Sequence, residues 1–415
     1  MSRRGYRRHF KTFKDAYVMG LSLFLWSLGY GLYAFIWPAY VRELGGSSVD
    51  LGFLVAVSML VTSLSALPGG AWADLYDRKW VLIASWAVGL PAPLIFAFAP
   101  SWQWLIPGLF FYMLSSFSNP ALQAYIVHGT PPERLGVTFN LIMGAFPLGL
   151  VVSPPIGGWL AQGHGMRLVF YLSFLAFTLS TAVLFWLSSQ RAPAPEAGRG
   201  RRPGPFDVRL WFRGFHRKNL DRRVLIVSAA FATVLALQNL GLPFSTPMLR
   251  DLTHLDLGAI GRLGSLASLS AFVFGPFFGR LADRGSSGVM VLALLTFAGS
   301  LAVMAAFPTT IQIIIIGFAL RGAGDGARGL MTAGLGRVIG GAALGQGYGV
   351  YNLLVGLFSV VTPYVGGWLY RLGPTWPFWA TAVLIALVTA PVAALGGENE
   401  RVRKNEIGQE EDAVS

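Results

Sequence analysis

Three ionisable residues fall inside one long apolar run, in the stretch Arg321-Gly322-Ala323-Gly324-Asp325-Gly326-Ala327-Arg328. Steps of four and three place Arg321, Asp325 and Arg328 on one face of a continuous helix. Charges are costly in apolar surroundings, so two kinds of chemistry suit them: a static ion pair, or a carboxyl at Asp325 that takes and releases a proton as its partner moves. Uncharged polar groups recur in other apolar runs, as Asn119 and Gln123, Gln238 and Asn239, and Asn352. With Tyr30, Tyr33, Trp37 and Tyr348 they outline an aromatic, weakly polar cavity suited to an organic molecule whose cation stacks on the rings. Other chemistries are disfavoured. The chain has no cysteine, and its five histidines lack metal-ligand spacing, so neither metal nor cofactor is expected. No glycine loop cradles a nucleotide, and no nucleophile comes with a base and an orienting group, so no catalytic residue is assigned and the chain does not read as an enzyme.

These residues need apolar helices to hold them. Hydrophobic residues are 54% of the 415 and charged residues 12%, with a mean hydropathy of +0.57; a soluble core of this size cannot absorb so much apolar surface. Runs near the roughly 20 residues that cross a bilayer predict twelve spans, at 16–41, 51–73, 80–99, 102–127, 136–161, 168–189, 224–249, 256–281, 288–307, 309–330, 345–370 and 375–396. The first span follows the basic stretch Ser2 to Lys14 without a small-residue cleavage site, and is expected to be a retained helix. Of the 32 lysines and arginines, 26 lie on one side of these spans and five (Arg42, Arg167, Arg250, Arg262, Arg371) on the other. The excess predicts a multi-pass protein of the cell membrane with both termini cytoplasmic. The net charge of +13 then serves topology and anionic headgroups rather than nucleic acid.

The polar residues also follow a period. Spans 3, 6, 9 and 12 carry little beyond Ser and Thr, whereas 1, 4, 7 and 10 carry the tyrosines, amides and charges, which predicts a central cavity ringed by 1, 4, 7 and 10. Residues 1–190 form the first expected bundle and 224–397 the second, joined by a cytoplasmic linker at 191–223. Within the linker, Phe206 to Arg217 puts aromatics on one helical face and arginines on the other, as an interfacial helix does; a disordered basic linker is the alternative. Residues 398–415 are expected to be a solvated, disordered tail, and the protein a monomer.

The two halves repeat. Gly70-x-x-x-Asp74 recurs as Gly279-x-x-x-Asp283 at an offset of 209, which also superposes Pro38 on Pro247, Gly52 on Gly261, and Pro154, Gly157 and Gly158 on Pro363, Gly366 and Gly367. The expected fold is thus an all-α integral membrane protein of twelve transmembrane helices in two pseudo-symmetric six-helix bundles. The loop Gly70-x-x-x-Asp74-x-x-Asp77-Arg78-Lys79 resembles the signature loop of the major facilitator superfamily, and Gly279 to Arg284 its second copy; Leu75 and Asp77 depart from the pattern. The resemblance implies a conformational latch formed by Gly70, Asp74, Arg78, Gly279, Asp283 and Arg284, the alternative being that Asp74 simply ends a helix. Gly149-x-x-x-Ser153-Pro154-x-x-Gly157-Gly158 is similar to the family's antiporter motif, with Ser153 in place of glycine.

The resemblance is strongest to the drug:proton antiporter branch. It implies a secondary transporter working by alternating access, exporting lipophilic or amphipathic small molecules in exchange for protons. Two alternatives remain open: uptake of an organic anion held by Arg321, and a transport-inactive membrane sensor or scaffold.

Overall fold

Proline has no backbone N–H and is favoured in the first turn of a helix. Pro38, Pro91, Pro120 and Pro243 stand where apolar runs are interrupted, while Pro68, Pro147, Pro154, Pro155, Pro276 and Pro363 lie inside continuous helices. The computed structural model describes residues 3–131, 134–191, 222–283, 288–339 and 344–391, so the expected interfacial helix and tail lie outside the described residues. Helix α1 (Arg3–Ala34) yields at Phe35–Ile36 to α2 (Trp37–Glu43), which has Pro38 in its first turn. After α3 (Ser48–Leu75), the third expected span divides at Leu90 into α4 (Arg78–Gly89) and α5 (Pro91–Ala97). The fourth divides into α6 (Leu105–Leu114) and α7 (Asn119–Gly129) across a 3-10 turn at Ser115–Ser118, with Pro120 opening α7. Two uninterrupted helices follow, α8 (Leu135–His164) and α9 (Met166–Val183).

The second half repeats the scheme. Its first span divides into α10 (Arg222–Gly241) and α11 (Ser245–Thr253) across a 3-10 turn, Leu242–Phe244, that contains Pro243. Next come α12 (Leu257–Asp283) and α13 (Val289–Ala306). The tenth expected span divides at Arg321–Gly322 into α14 (Ile311–Leu320) and α15 (Ala323–Ile339), before α16 (Leu344–Leu372) and α17 (Trp376–Pro391).

Among the described residues nine helical stretches are long and apolar enough to cross a membrane. The remaining three expected spans differ for identifiable reasons: 102–127 and 309–330 are each two pieces, and α17 is shorter. Length of an apolar run does not register a break inside it. Apart from the third span, the divided ones are the first, fourth, seventh and tenth, and Phe35 and Phe244 at two of the breaks stand 209 positions apart. Helices interrupted in corresponding places mark where a transporter exposes its site.

Aromatic stacking fills the first half. The Trp26 ring lies 4.1 Å from Phe177 and 6.1 Å from Tyr112, and Tyr33 packs 5.5 Å from Phe170. At the end of the bundle that holds the α3–α4 loop, Asp77 caps α4 by accepting from the Lys79 amide at 3.0 Å, and it also accepts from the Gln190 amide at 3.0 Å and from the Ser189 hydroxyl. Arg78, buried, donates from Nη1 to Gln190 Oε1 at 3.0 Å. The same segment receives the Tyr125 hydroxyl at Ser188 O, 2.8 Å, and the Ser188 amide reaches Asp15 Oδ1 at 3.1 Å. The residue that departs from the signature pattern thus fastens the end of the first bundle. Asp77→Ala is expected to remove about 1–2 kcal/mol through the lost cap, seen as a lower unfolding temperature with substrate exchange retained.

The repeated glycines and prolines lie between the helices. A Cβ on Gly52 would overlap the Pro363 carbonyl, and one on Gly261 the Pro154 carbonyl; one on Gly158 would overlap Leu257 O, and one on Gly367 meets Ser48 O at 2.5 Å. Each contact joins the two halves, and each has its counterpart at the same offset. Gly157 and Gly366 face inward instead, toward Leu32 O and Leu240 O of their own halves. Small residues at these positions let helix backbones touch where lipid gives no hydrophobic drive.

Candidate substrate site

The breaks in the first, seventh and tenth spans meet at a cavity of about 280 Å³ between the halves. Tyr30, Ala34, Phe35 and Pro38 come from the α1–α2 break, and Leu242, Pro243, Ser245 and Thr246 from the α10–α11 break. Leu150 of α8, Ile260 of α12, and Phe318 and Arg321 at the α14–α15 break complete the wall. Arg321 Cζ sits 5.0 Å from the Phe318 ring centre and 5.9 Å from that of Phe35, within reach of a cation–π attraction.

On one side of the cavity the halves are locked together. Arg42 forms an ion pair with Asp251, and Arg250 Nη1 lies 3.5 Å from Glu43 Oε1. Asp251 also accepts from the Tyr370 hydroxyl at 2.6 Å. Two basic–acidic doublets therefore cross-pair, and Arg42 and Asp251 are 209 residues apart, equivalent positions of the repeat. Ser48 Oγ donates to Gly367 O at 3.1 Å, Gln162 Nε2 to Asp256 Oδ2 at 3.4 Å, Thr246 to Phe35 O and Ser265 to Val151 O. The two ion pairs between the halves lie at this Arg42 end, and the Thr246 and Ser265 bonds lie beside the cavity wall.

The deep charges are arranged differently from a continuous helix. Asp325 pairs with Arg328 at 3.8 Å, both side chains about half exposed, whereas Arg321 has no ion-pair partner among the described residues. The step-of-four face is lost because the ladder breaks at Arg321–Gly322: the Gly324 amide bonds back to Arg321 O at 3.1 Å, and α15 restarts in a new phase. Arg328 Nη2 also donates to Gln238 Oε1 at 3.4 Å, and Gln238 Nε2 to Gly324 O at 3.4 Å, so the buried amide ties α10 to α15.

The other expected site residues divide. Tyr30 and Arg321 line the cavity; Tyr33 and Trp37 are instead 4% and 9% exposed, because the aromatic packing of the first half takes up Tyr33 and the turn at Phe35–Ile36 carries Trp37 into the interior. Asn239 binds Leu235 O at 3.2 Å and Ser359 Oγ at 3.4 Å, a link between α10 and α16. Asn119, Gln123 and Asn352 are exposed and absent from the cavity wall. The side chain of Tyr348 lies outside the described residues. Ser153, buried on α8, donates back to Gly149 O at 2.8 Å, and the motif around it packs α8 on α1 through Gly149 and Gly157 and on α12 through Pro154 and Gly158. Of the expected latch, Arg78 binds within its own half, and a Cβ on Gly279 would meet open space. The surroundings of Gly70, Asp74 and Asp283, and Arg284 itself, lie outside the described residues.

Phe35, Pro243, Thr246 and Phe318, and the acidic partners Glu43 and Asp251, went unnoticed in the sequence. The signal was there: the prolines break spans, and the offset that aligns the glycines also aligns Arg42 with Asp251.

Two helical halves that meet around a cavity and close at one end define a multi-pass membrane transporter. The Major Facilitator Superfamily sequence profile matches residues 19–257 and 226–415, and the chain belongs to that family. It is 26% identical to the multidrug resistance protein MdtG of Yersinia enterocolitica over 76% of each chain. It is 23% identical to multidrug resistance protein 1 of Bacillus subtilis, over 88% of this chain and 92% of the relative. In fold it matches a POT family transporter crystallised with a thioalcohol conjugated peptide, with a TM-score of 0.76 and 12% identity over 93% of this chain and 96% of that one.

Proposed function

We propose that this transporter exports small lipophilic or amphipathic molecules by alternating access, using the cavity between the halves as its substrate site. The observation that carries the reading is the pair of ion pairs joining the halves at the Arg42 end, which closes the cavity on that side. The bias of basic residues supports cytoplasmic termini and an outer Arg42 end, and in this reading the closed Arg42 end corresponds to an inward-facing state. The multidrug resistance names of the relatives support export over uptake. In the outward-facing state the Asp74 and Asp283 loops take over as the cytoplasmic latch.

Asp325 is the proton-coupling group in this proposal. Protonation ends its attraction to Arg328, which also holds Gln238, so the proton loosens the tie between the seventh and tenth spans. In proteoliposomes Asp325→Asn is expected to bring pH-driven export down to background while substrate counterflow continues. Equal pH-driven flux in the variant and the parent would remove the carboxylate from coupling.

A further inference from the structure

The cavity carries one unmatched charge. Among the described residues Arg321 is the only ionic one of the wall, and no carboxylate of theirs lies within ion-pairing distance of the guanidinium. Asp325, one turn further on, is engaged by Arg328, and that pair is neutral as a unit. The serine and threonine hydroxyls of the wall are already donating, Thr246 to Phe35 O and Ser245 to Leu242 O. The guanidinium is therefore the charge that sets the field of the wall. A cationic ligand would meet this field uncompensated, and a neutral one would leave Arg321 desolvated without a partner.

We propose that the cavity binds small aromatic anions, a carboxylate or sulfonate on one to three rings. Arg321 takes the acid group in a bidentate grip, and the ring system lies along Phe35, Phe318 and Tyr30. The volume of about 280 Å³ sets the size, since it lies at the lower edge of the roughly 300–1,000 Å³ common for ligand sites. The inference rests on the cavity being the substrate site and narrows what enters it.

Two fluorescent probes of nearly the same shape separate the possibilities: 8-anilinonaphthalene-1-sulfonate, an anion, and N-phenyl-1-naphthylamine, which is neutral. Each is titrated onto the full chain in lipid nanodiscs, with empty nanodiscs subtracted. The sulfonate should bind the parent protein more tightly than the amine. Arg321→Met should weaken the sulfonate about 10-fold to 100-fold, the usual effect of losing a charge-assisted bond, and leave the amine unchanged, while Arg321→Lys retains part of the preference. Ala34→Trp, which fills the cavity, should displace both. If Ala34→Trp displaces the amine but Arg321→Met leaves the sulfonate unchanged, or the sulfonate does not bind, the anion assignment is overturned and the cavity survives as the site. If neither probe responds to Ala34→Trp, the cavity reading fails and the proposal with it. Should Arg321→Met fail to fold, the Arg321→Lys titration decides: undiminished sulfonate affinity there overturns the bidentate grip.

Discussion

Reversing one charge at the Arg42 end should open it. Asp251→Arg replaces the partner of Arg42 with a like charge and strands the Tyr370 hydroxyl, while Arg250–Glu43 remains as an ion pair beside the Ser48 and Gln162 hydrogen bonds. The side chains of the Arg42 pair are 35% and 31% exposed, so water screens them and each partner alone contributes modestly. Loss of attraction plus new repulsion is expected to cost the closed state about 1.4–2.3 kcal/mol, a shift of roughly 10-fold to 50-fold in the ratio of conformers. The chain has no native cysteine, so spin labels at Gln103 and Leu372, one on each half near this end, report the distance directly. The double exchange Arg42→Asp with Asp251→Arg should restore the closed distance, and added salt should weaken the closure in the parent. Unchanged distances in Asp251→Arg would show that the charges decorate an end held shut by packing alone.

Adjacent glycines should give opposite phenotypes. Gly158→Val pushes a side chain into Leu257 O of the other half, so the halves cannot close at the Arg42 end although each still folds. Gly367→Val should act likewise through Ser48 O. Both should populate the open form and stop transport with little change in unfolding temperature. Gly157→Val drives instead into Leu32 O within its own half and separates α8 from α1, with an expected loss of about 1–3 kcal/mol as in other overpacked interiors. Spin-label distances paired with thermal unfolding separate the two cases. If Gly158→Val lowers the unfolding temperature as much as Gly157→Val and leaves the label distance alone, the pair has no division of labour.

The spans were legible in the sequence because a bilayer tolerates few charges and demands a minimum length of apolar chain. The repeat was legible too, through Gly52, Gly158, Gly261 and Gly367, since close approach of backbones admits only small residues. Its meaning was not, because glycine shows that something comes close and not whether it belongs to the same half. Arg321 stood out as a charge in an apolar run, but its pairing with Asp325 assumed an unbroken helix, and Gly322 ends that assumption. Tyr33 and Trp37 were expected in the cavity because tyrosine and tryptophan carry polar atoms; helical periodicity alone does not tell an inner face from an outer one when both are apolar.

The doublets Arg42-Glu43 and Arg250-Asp251 have one further consequence. Each presents a base followed by an acid, and the pairing runs base to acid in both directions across an approximate two-fold axis. The patch is not self-complementary: the repeat puts Arg42 and Asp251 at equivalent positions, so either half set against a copy of itself would bring Arg42 to Arg42 or Asp251 to Asp251. Closure at this end therefore depends on the two halves having diverged, with a base in one and an acid in the other at the same position of the repeat. The halves diverge at the cavity as well, where Arg321 of the second half is matched at the same offset by Tyr112 of the first.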